Sequence, residues 1–300
     1  MVDHNSHAPA HPAPAGQSAA DATDVVVVDH LAVRAGERLL LQDVSFTARR
    51  GRVVGLIGPN GAGKSTLLAA LAGDNPPAAG QVRLAGVDPY ATSPKQLART
   101  RAVMLQDVGV SFAFLVRDVV DMGRRPWAGD ERAAHDDQVV AAAMHATEVA
   151  HLADRDVMTL SGGERARVAL ARVLAQQTPV VFLDEPTAAL DIGHQEQALG
   201  LMRAMARAGA TVVVVLHDLT AAASYCDDIV CLGQGGIVAQ GPVAEVYTSE
   251  TLSTVYGWPI EVATTTDADG TTRVHVLPAR GHVSREHTAG LHAGFAPAGQ

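Results

Sequence analysis

Three hundred residues with 47% hydrophobic side chains suffice for one large domain or two small ones around a real core. A formal net charge of −9 argues against the basic face of a nucleic-acid binder and fits an acidic cytoplasmic protein. No apolar run nears the ~18–20 residues that span a bilayer, and the N-terminus lacks the basic start and apolar stretch of a secretory signal, so any work at a membrane is expected to go through a partner.

In chain order, residues 1–23 are rich in Ala, Pro and His and are expected to form a disordered tail. Strand-like runs follow at Val25–Val28 and Val53–Ile57, then a helical stretch at Lys64–Ala72 and a strand at Val82–Leu84. Residues 107–160 lack good strands and read as a helical subdomain inserted into the core, with a helix over Asp136–Ala153. Helices are expected over Gly163–Gln176, Gln195–Ala208 and Leu219–Tyr225, and strands over Val180–Leu183, Val212–Leu216 and Ile229–Leu232. Continuous Val/Ile/Leu runs predict strands covered on both faces, and the alternation predicts an α/β sheet with crossover helices. Cys226 and Cys231 read as small buried hydrophobes in a reducing compartment. Residues 279–300 form a second tail. His4, His7 and His11 in front and His282, His287 and His292 behind have no spacing that would fix them around a metal or haem, so they read as solvated.

Gly58-Pro59-Asn60-Gly61-Ala62-Gly63-Lys64-Ser65 fits G-x-x-x-x-G-K-[ST] between a strand and a helix, the context of a P-loop. Glycines at 61 and 63 let the chain wrap closely, so that successive N–H groups and the helix start point at the β- and γ-phosphates. Lys64 adds a mobile positive charge, the Ser65 hydroxyl can ligate Mg²⁺, and Thr66 is placed to assist at the α-phosphate. In "VVFLDEP" (180–186) a buried strand delivers Asp184 to the sheet edge as a second Mg²⁺ ligand, and Glu185 is placed to polarise water for attack on the γ-phosphate.

"TLSGGERARV" (159–168) supplies a second anion cradle, with Ser161, Gly162 and Gly163 opening a helix. One chain has no use for two cradles on one phosphate. The second makes sense when it serves a nucleotide held by another copy, in a two-fold dimer glued by ATP.

Leu160-Ser161-Gly162-Gly163-Glu164, together with GPNGAGKST and VVFLDEPTAALD, resembles the ATP-binding cassette (ABC) ATPases. The resemblance implies a P-loop NTPase fold: a RecA-like mixed sheet core, an antiparallel β subdomain and the inserted helical subdomain, together over 24–278. It implies that Gln106 reaches Mg²⁺ and the attacking water, that His217 contacts the γ-phosphate, and that Asp191 crosses the dimer interface. Where family members often stack an aromatic ring on adenine, this chain has Ala35, with Arg34 beside it, so base stacking is expected to be weaker or to be supplied by the Arg34 guanidinium, and ATP-versus-GTP selection to be loose.

A single cassette with neither membrane helices nor coiled-coil heptads points to the separate ATPase subunit of an importer. The stretches 107–127, 193–209 and 216–262 resemble the ATPases of iron-siderophore, haem and cobalamin importers, most closely those for haem. Permease subunits, a substrate-binding protein acting through them, and the cytoplasmic face of the membrane follow as expectations. Phe112-Ala113-Phe114-Leu115-Val116 replaces the relatives' F-P-F-T-V where the permease is expected to dock. Ferric-siderophore or cobalamin import, and a regulatory or scaffolding cassette without transport, are the competing assignments.

Overall fold

The computed structural model describes residues 23–105, 113–266, 268, 270 and 272–281. Two long strands, β1 (Asp24–Ala35) and β2 (Arg38–Arg49), open the chain as an antiparallel pair, and β3 (Val53–Ile57) leads into helix α1 (Lys64–Ala72). Next come β4 (Ala79–Leu84), α2 (Pro94–Thr100) and β5 (Arg101–Met104). The helical arm carries α3 (Val116–Asp121) and α4 (Asp136–Ala146), joined by short 3₁₀ turns, and returns through α5 (Gly162–Gln176). The core resumes with β6 (Val180–Asp184), α6 (Ile192–Arg207), β7 (Thr211–Val215), α7 (Leu219–Tyr225), β8 (Asp228–Gly233) and β9 (Gly236–Pro242). Helices α8 (Val243–Val246) and α9 (Ser249–Tyr256) precede a final hairpin, β10 (Ile260–Thr266) and β11 (Thr272–Pro278).

The main sheet runs in the order β5-β6-β7-β3-β8-β9, parallel throughout except for β9 at one edge. A second, antiparallel sheet runs β2-β1-β4. Every residue of β3, β6 and β7 is buried, and their side chains alternate between two clusters as the strand period of two requires. Val53, Val181, Val212 and Val214 face α5 and α6, whereas Val54, Leu56, Phe182 and Val213 face α1 and the antiparallel sheet. The parallel strands all end at one edge, and the loops that follow β3, β6 and β7 meet there.

The arm has a hydrophobic cluster of its own: Val116, Val120, Met144, Val149 and Leu152 pack with Val168, Ala171 and Ala175 of α5. That separate cluster agrees with an inserted helical unit. The expected helix over Asp136–Ala153 is shorter. It stops at Ala146, where Thr147 turns its hydroxyl onto the Ala143 carbonyl and Glu148 adopts a left-handed φ of 54°. Residues 1–22, 106–112 and 282–300, including Gln106, Phe112 and the tail histidines, lie outside the described residues.

Candidate functional site

The buried strand β3 ends at Ile57, and Gly58 turns the chain with φ 143°; a Cβ there would lie 2.2 Å from the Leu232 carbonyl oxygen. Gly63, at φ 94°, closes the loop where a Cβ would press 2.8 Å from Leu41 Cδ2. Both positions therefore require glycine. Lys64 follows at the start of α1 with only 6% of its surface exposed. Its ammonium donates to the carbonyls of Gly58 (2.8 Å) and Pro59 (3.1 Å), and burial lowers its pKa against the opposing pull of Glu185 and Asp184. An arriving phosphate competes with those two carbonyls for the same ammonium.

Asp184 ends β6 and is 5% exposed. Burial raises its pKa, and the Ser65 hydroxyl, donating to Oδ1 at 3.2 Å, works in the other direction. Glu185 takes a left-handed φ of 51°, and its N–H donates to the Val215 carbonyl at 3.2 Å. Beyond β7, His217 Nε2 lies 2.5 Å from Glu185 Oε1. Gly61, Lys64, Ser65 and Thr66 share a cleft of about 760 Å³ with Glu185, His217 and Leu40. The site thus combines backbone and ammonium donors with a carboxylate–imidazole pair across one cavity, which suits binding a polyphosphate and moving a proton beside it.

Leu40 was not among the expected lining residues; its only signal in the sequence is the apolar run Leu39–Leu41. Ala35 is not in this lining. It ends β1, and the Arg34 guanidinium beside it donates to the Glu37 carbonyl at 3.2 Å.

A divalent cation fits the pair Ser65–Asp184. Both offer hard oxygen ligands, and burial disfavours an ionised Asp184 without a positive neighbour. Among the described residues no cluster of three or more His, Cys, Asp or Glu could hold a metal, and magnesium needs none, because it takes one or two carboxylates plus phosphate and water.

The turn expected to form a second cradle lies elsewhere. Ser161 caps α5 in a reciprocal pair: the Glu164 N–H donates to Ser161 Oγ at 3.2 Å, and the Ser161 N–H donates to Glu164 Oε2 at 2.7 Å. The Ser161 amide holds the Glu164 carboxyl below the usual carboxylate range. Leu160 is buried, whereas Ser161 and Gly162 are exposed, and none of Leu160–Glu164 lines the P-loop cleft. Asp191 caps α6, accepting from the His194 N–H at 3.0 Å and meeting that residue's Nδ1 at 2.8 Å. Beside it Ile192 is 79% exposed. Phe114, 37% exposed, stands at the entry to the helical arm, while Val116 two residues on is fully buried.

Residues 41–188 match the family described as ABC transporter. The chain is 53% identical over 246 residues to the hemin import ATP-binding protein HmuV of Thermobifida fusca, covering 82% of this chain and 87% of that one. It is 46% identical over 247 residues to the cobalamin import ATP-binding protein BtuD of Halobacterium salinarum, covering 82% of this chain and 62% of that one. Among solved structures, a protein described as a metal-chelate type ABC transporter, in an inward-facing conformation, superposes with a TM-score of 0.73 at 27% identity, covering 86% of this chain and 98% of that one. The chain belongs to the ABC transporter family, as one of its ATP-binding cassettes.

Proposed function

We propose that this cassette, over residues 24–278, is the ATP-hydrolysing subunit of a haem importer, working as a homodimer on the cytoplasmic face of a membrane permease. The observation that carries the cargo is the 53% identity over 87% of a hemin import ATP-binding protein. No helix among the described residues is long and apolar enough to cross a membrane. The partners this reading implies are permease subunits and, through them, a substrate-binding protein.

In this assignment the P-loop amides and Lys64 bind the β- and γ-phosphates, and Thr66 assists at the α-phosphate. Ser65, Asp184 and Gln106 would hold Mg²⁺, which neutralises phosphate charge when bound. Glu185 accepts the proton of the attacking water, and its 2.5 Å contact with His217 fixes where that carboxylate points. Ser161, Gly162 and Gly163 complete the nucleotide site of the partner copy, and Asp191 stands beside them at the shared interface. Phe114 and its neighbours offer the permease an apolar contact.

Cobalamin import is the second reading, favoured by the 46% identity to a cobalamin import protein. The two are separated by ATP hydrolysis of the subunit assembled with its permease in lipid, with the binding protein loaded in turn with haem, cobalamin or a ferric siderophore. Stimulation by haem alone is expected. Stimulation by another cargo replaces the substrate, and hydrolysis indifferent to any permease overturns the transport role.

A further inference from the structure

The last described elements contribute nothing to the lining of the nucleotide cleft, yet two of their side chains reach the loops that build it. Leu252 of α9 is fully buried in the core cluster on the α5–α6 side of the main sheet. Residues four apart share a helical face, so the same helix presents Tyr256 one turn later. There the Gly58 N–H donates to the Tyr256 hydroxyl at 3.0 Å. Gly58 is also the residue whose carbonyl holds the Lys64 ammonium.

Helix α9 is itself pinned. Thr248 caps it by accepting from the Thr251 N–H at 3.1 Å, and Gly257 ends it with φ 62°. From β10, the Val262 N–H donates to Ser249 Oγ and the Ile260 N–H to Ser253 Oγ, both at 2.9 Å. Just before α9, Tyr247 is 5% exposed, and its hydroxyl donates to the Leu219 carbonyl at 2.9 Å, two residues beyond His217. Burial raises both phenols, Tyr256 to about 12, so each stays a neutral hydroxyl at working pH.

We propose that Val243–Tyr256 is a strap that positions the nucleotide site: Tyr256 sets the P-loop entrance through Gly58, and Tyr247 sets the His217 turn through Leu219. The strap presupposes that the cleft is an ATP site. Strands β3 and β7, which feed these two turns, are neighbours in the sheet. One short helical segment therefore fixes the spacing between the phosphate-binding loop and the imidazole that faces it. Tyr256 and Tyr247 are positioning residues, acting through backbone groups rather than on the nucleotide.

The test is Mg–ATP hydrolysis by the full-length chain with Tyr256→Phe and Tyr247→Phe, each of which keeps the ring and removes only the hydroxyl. Leaving the Gly58 N–H without its acceptor is expected to raise KM for ATP about five- to tenfold with kcat little changed. Freeing the His217 turn is expected to lower kcat by a similar factor, about five- to tenfold, with KM unchanged. A merely structural role would lower the melting temperature and leave the KM-against-kcat split untouched. Unchanged constants in both variants, beside an active wild type, overturn the strap; a wild type that neither binds nor hydrolyses ATP overturns the assignment of the cleft instead. Should either variant fail to fold, amide exchange of the wild-type chain decides: the strap requires slow exchange at Gly58 before nucleotide is added, and rapid exchange there overturns it.

Discussion

At the scale of single residues, Asp184 shows what the site costs the fold. Its carboxyl is buried, and burial is the largest cause of its raised pKa, with Glu185 beside it adding a second negative charge. A carboxyl whose folded pKa is raised holds its proton more tightly in the folded than in the unfolded chain. Nucleotide-free stability from this group therefore grows as pH falls through the folded value, and the gain is complete below the unfolded value near ~3.9. Above that window the ionised group is a standing penalty. Asp184→Asn removes the charge and keeps an oxygen for the Ser65 hydroxyl. In scanning calorimetry without nucleotide it is expected to melt about 2–4 °C higher at pH 8, with the difference shrinking as pH falls, while ATP hydrolysis is lost. A variant that melts lower than wild type at pH 8 would show that the charge is already compensated.

At the scale of elements, α5 does two jobs that one substitution can separate. Ala169, Leu170 and Val173 pack in the core cluster under the main sheet, and Val168, Ala171 and Ala175 pack in the arm, so the helix belongs to both units. Its first turn is held by the Ser161–Glu164 reciprocal cap. Asp caps a helix about as well as Ser, so Ser161→Asp is expected to keep the melting temperature within a few degrees, whereas Ala would cost ~1 kcal/mol. The same Asp places a carboxylate where a partner's phosphate is expected, and hydrolysis should fall to background. Unchanged hydrolysis in Ser161→Asp would leave the Ser161 turn with capping alone. The elements that build this site were legible because their signals are local. Buried Val/Ile runs marked β3, β6 and β7, and G-x-x-x-x-G-K-S and Ser-Gly-Gly marked the turns. What sequence reasoning missed was set by distant contacts. Strand β5 is only Arg101–Met104, too short to show a period, and joins the sheet by pairing with β6. The β10–β11 hairpin is rich in Thr and half exposed, and nothing in Tyr256 announces its hydrogen bond to Gly58, 198 residues away.

At the scale of the whole molecule, the proposed pairing rests on where the P-loop cleft and the α5 helix start lie in one chain. The P-loop cleft contains Lys64, Glu185 and His217 but no residue of Leu160–Glu164, and Ser161, Gly162, Asp191 and Ile192 are all exposed. A single chain therefore presents a phosphate-binding cleft and, apart from it, a helix start at which Ser161 and Gly162 are exposed. In the two-fold pair proposed above, each helix start would close on the other chain's nucleotide and the exposed Ile192 would leave water. A pair glued by ATP would be dissolved by hydrolysis, so it is expected to be visible only when turnover is slow. Glu185→Gln removes the proposed proton acceptor and is expected to cut turnover ~10²–10⁴-fold while sparing ATP binding. In sedimentation velocity, that variant with Mg–ATP should run as a dimer, and with Mg–ADP as a monomer. Adding Ser161→Asp to it should restore the monomer with ATP while each chain still binds the nucleotide at its own P-loop. A doubly substituted chain that dimerises as well as Glu185→Gln alone would place the contact on some other face, and the exposed cap of α5 would then have no part in holding the two copies together.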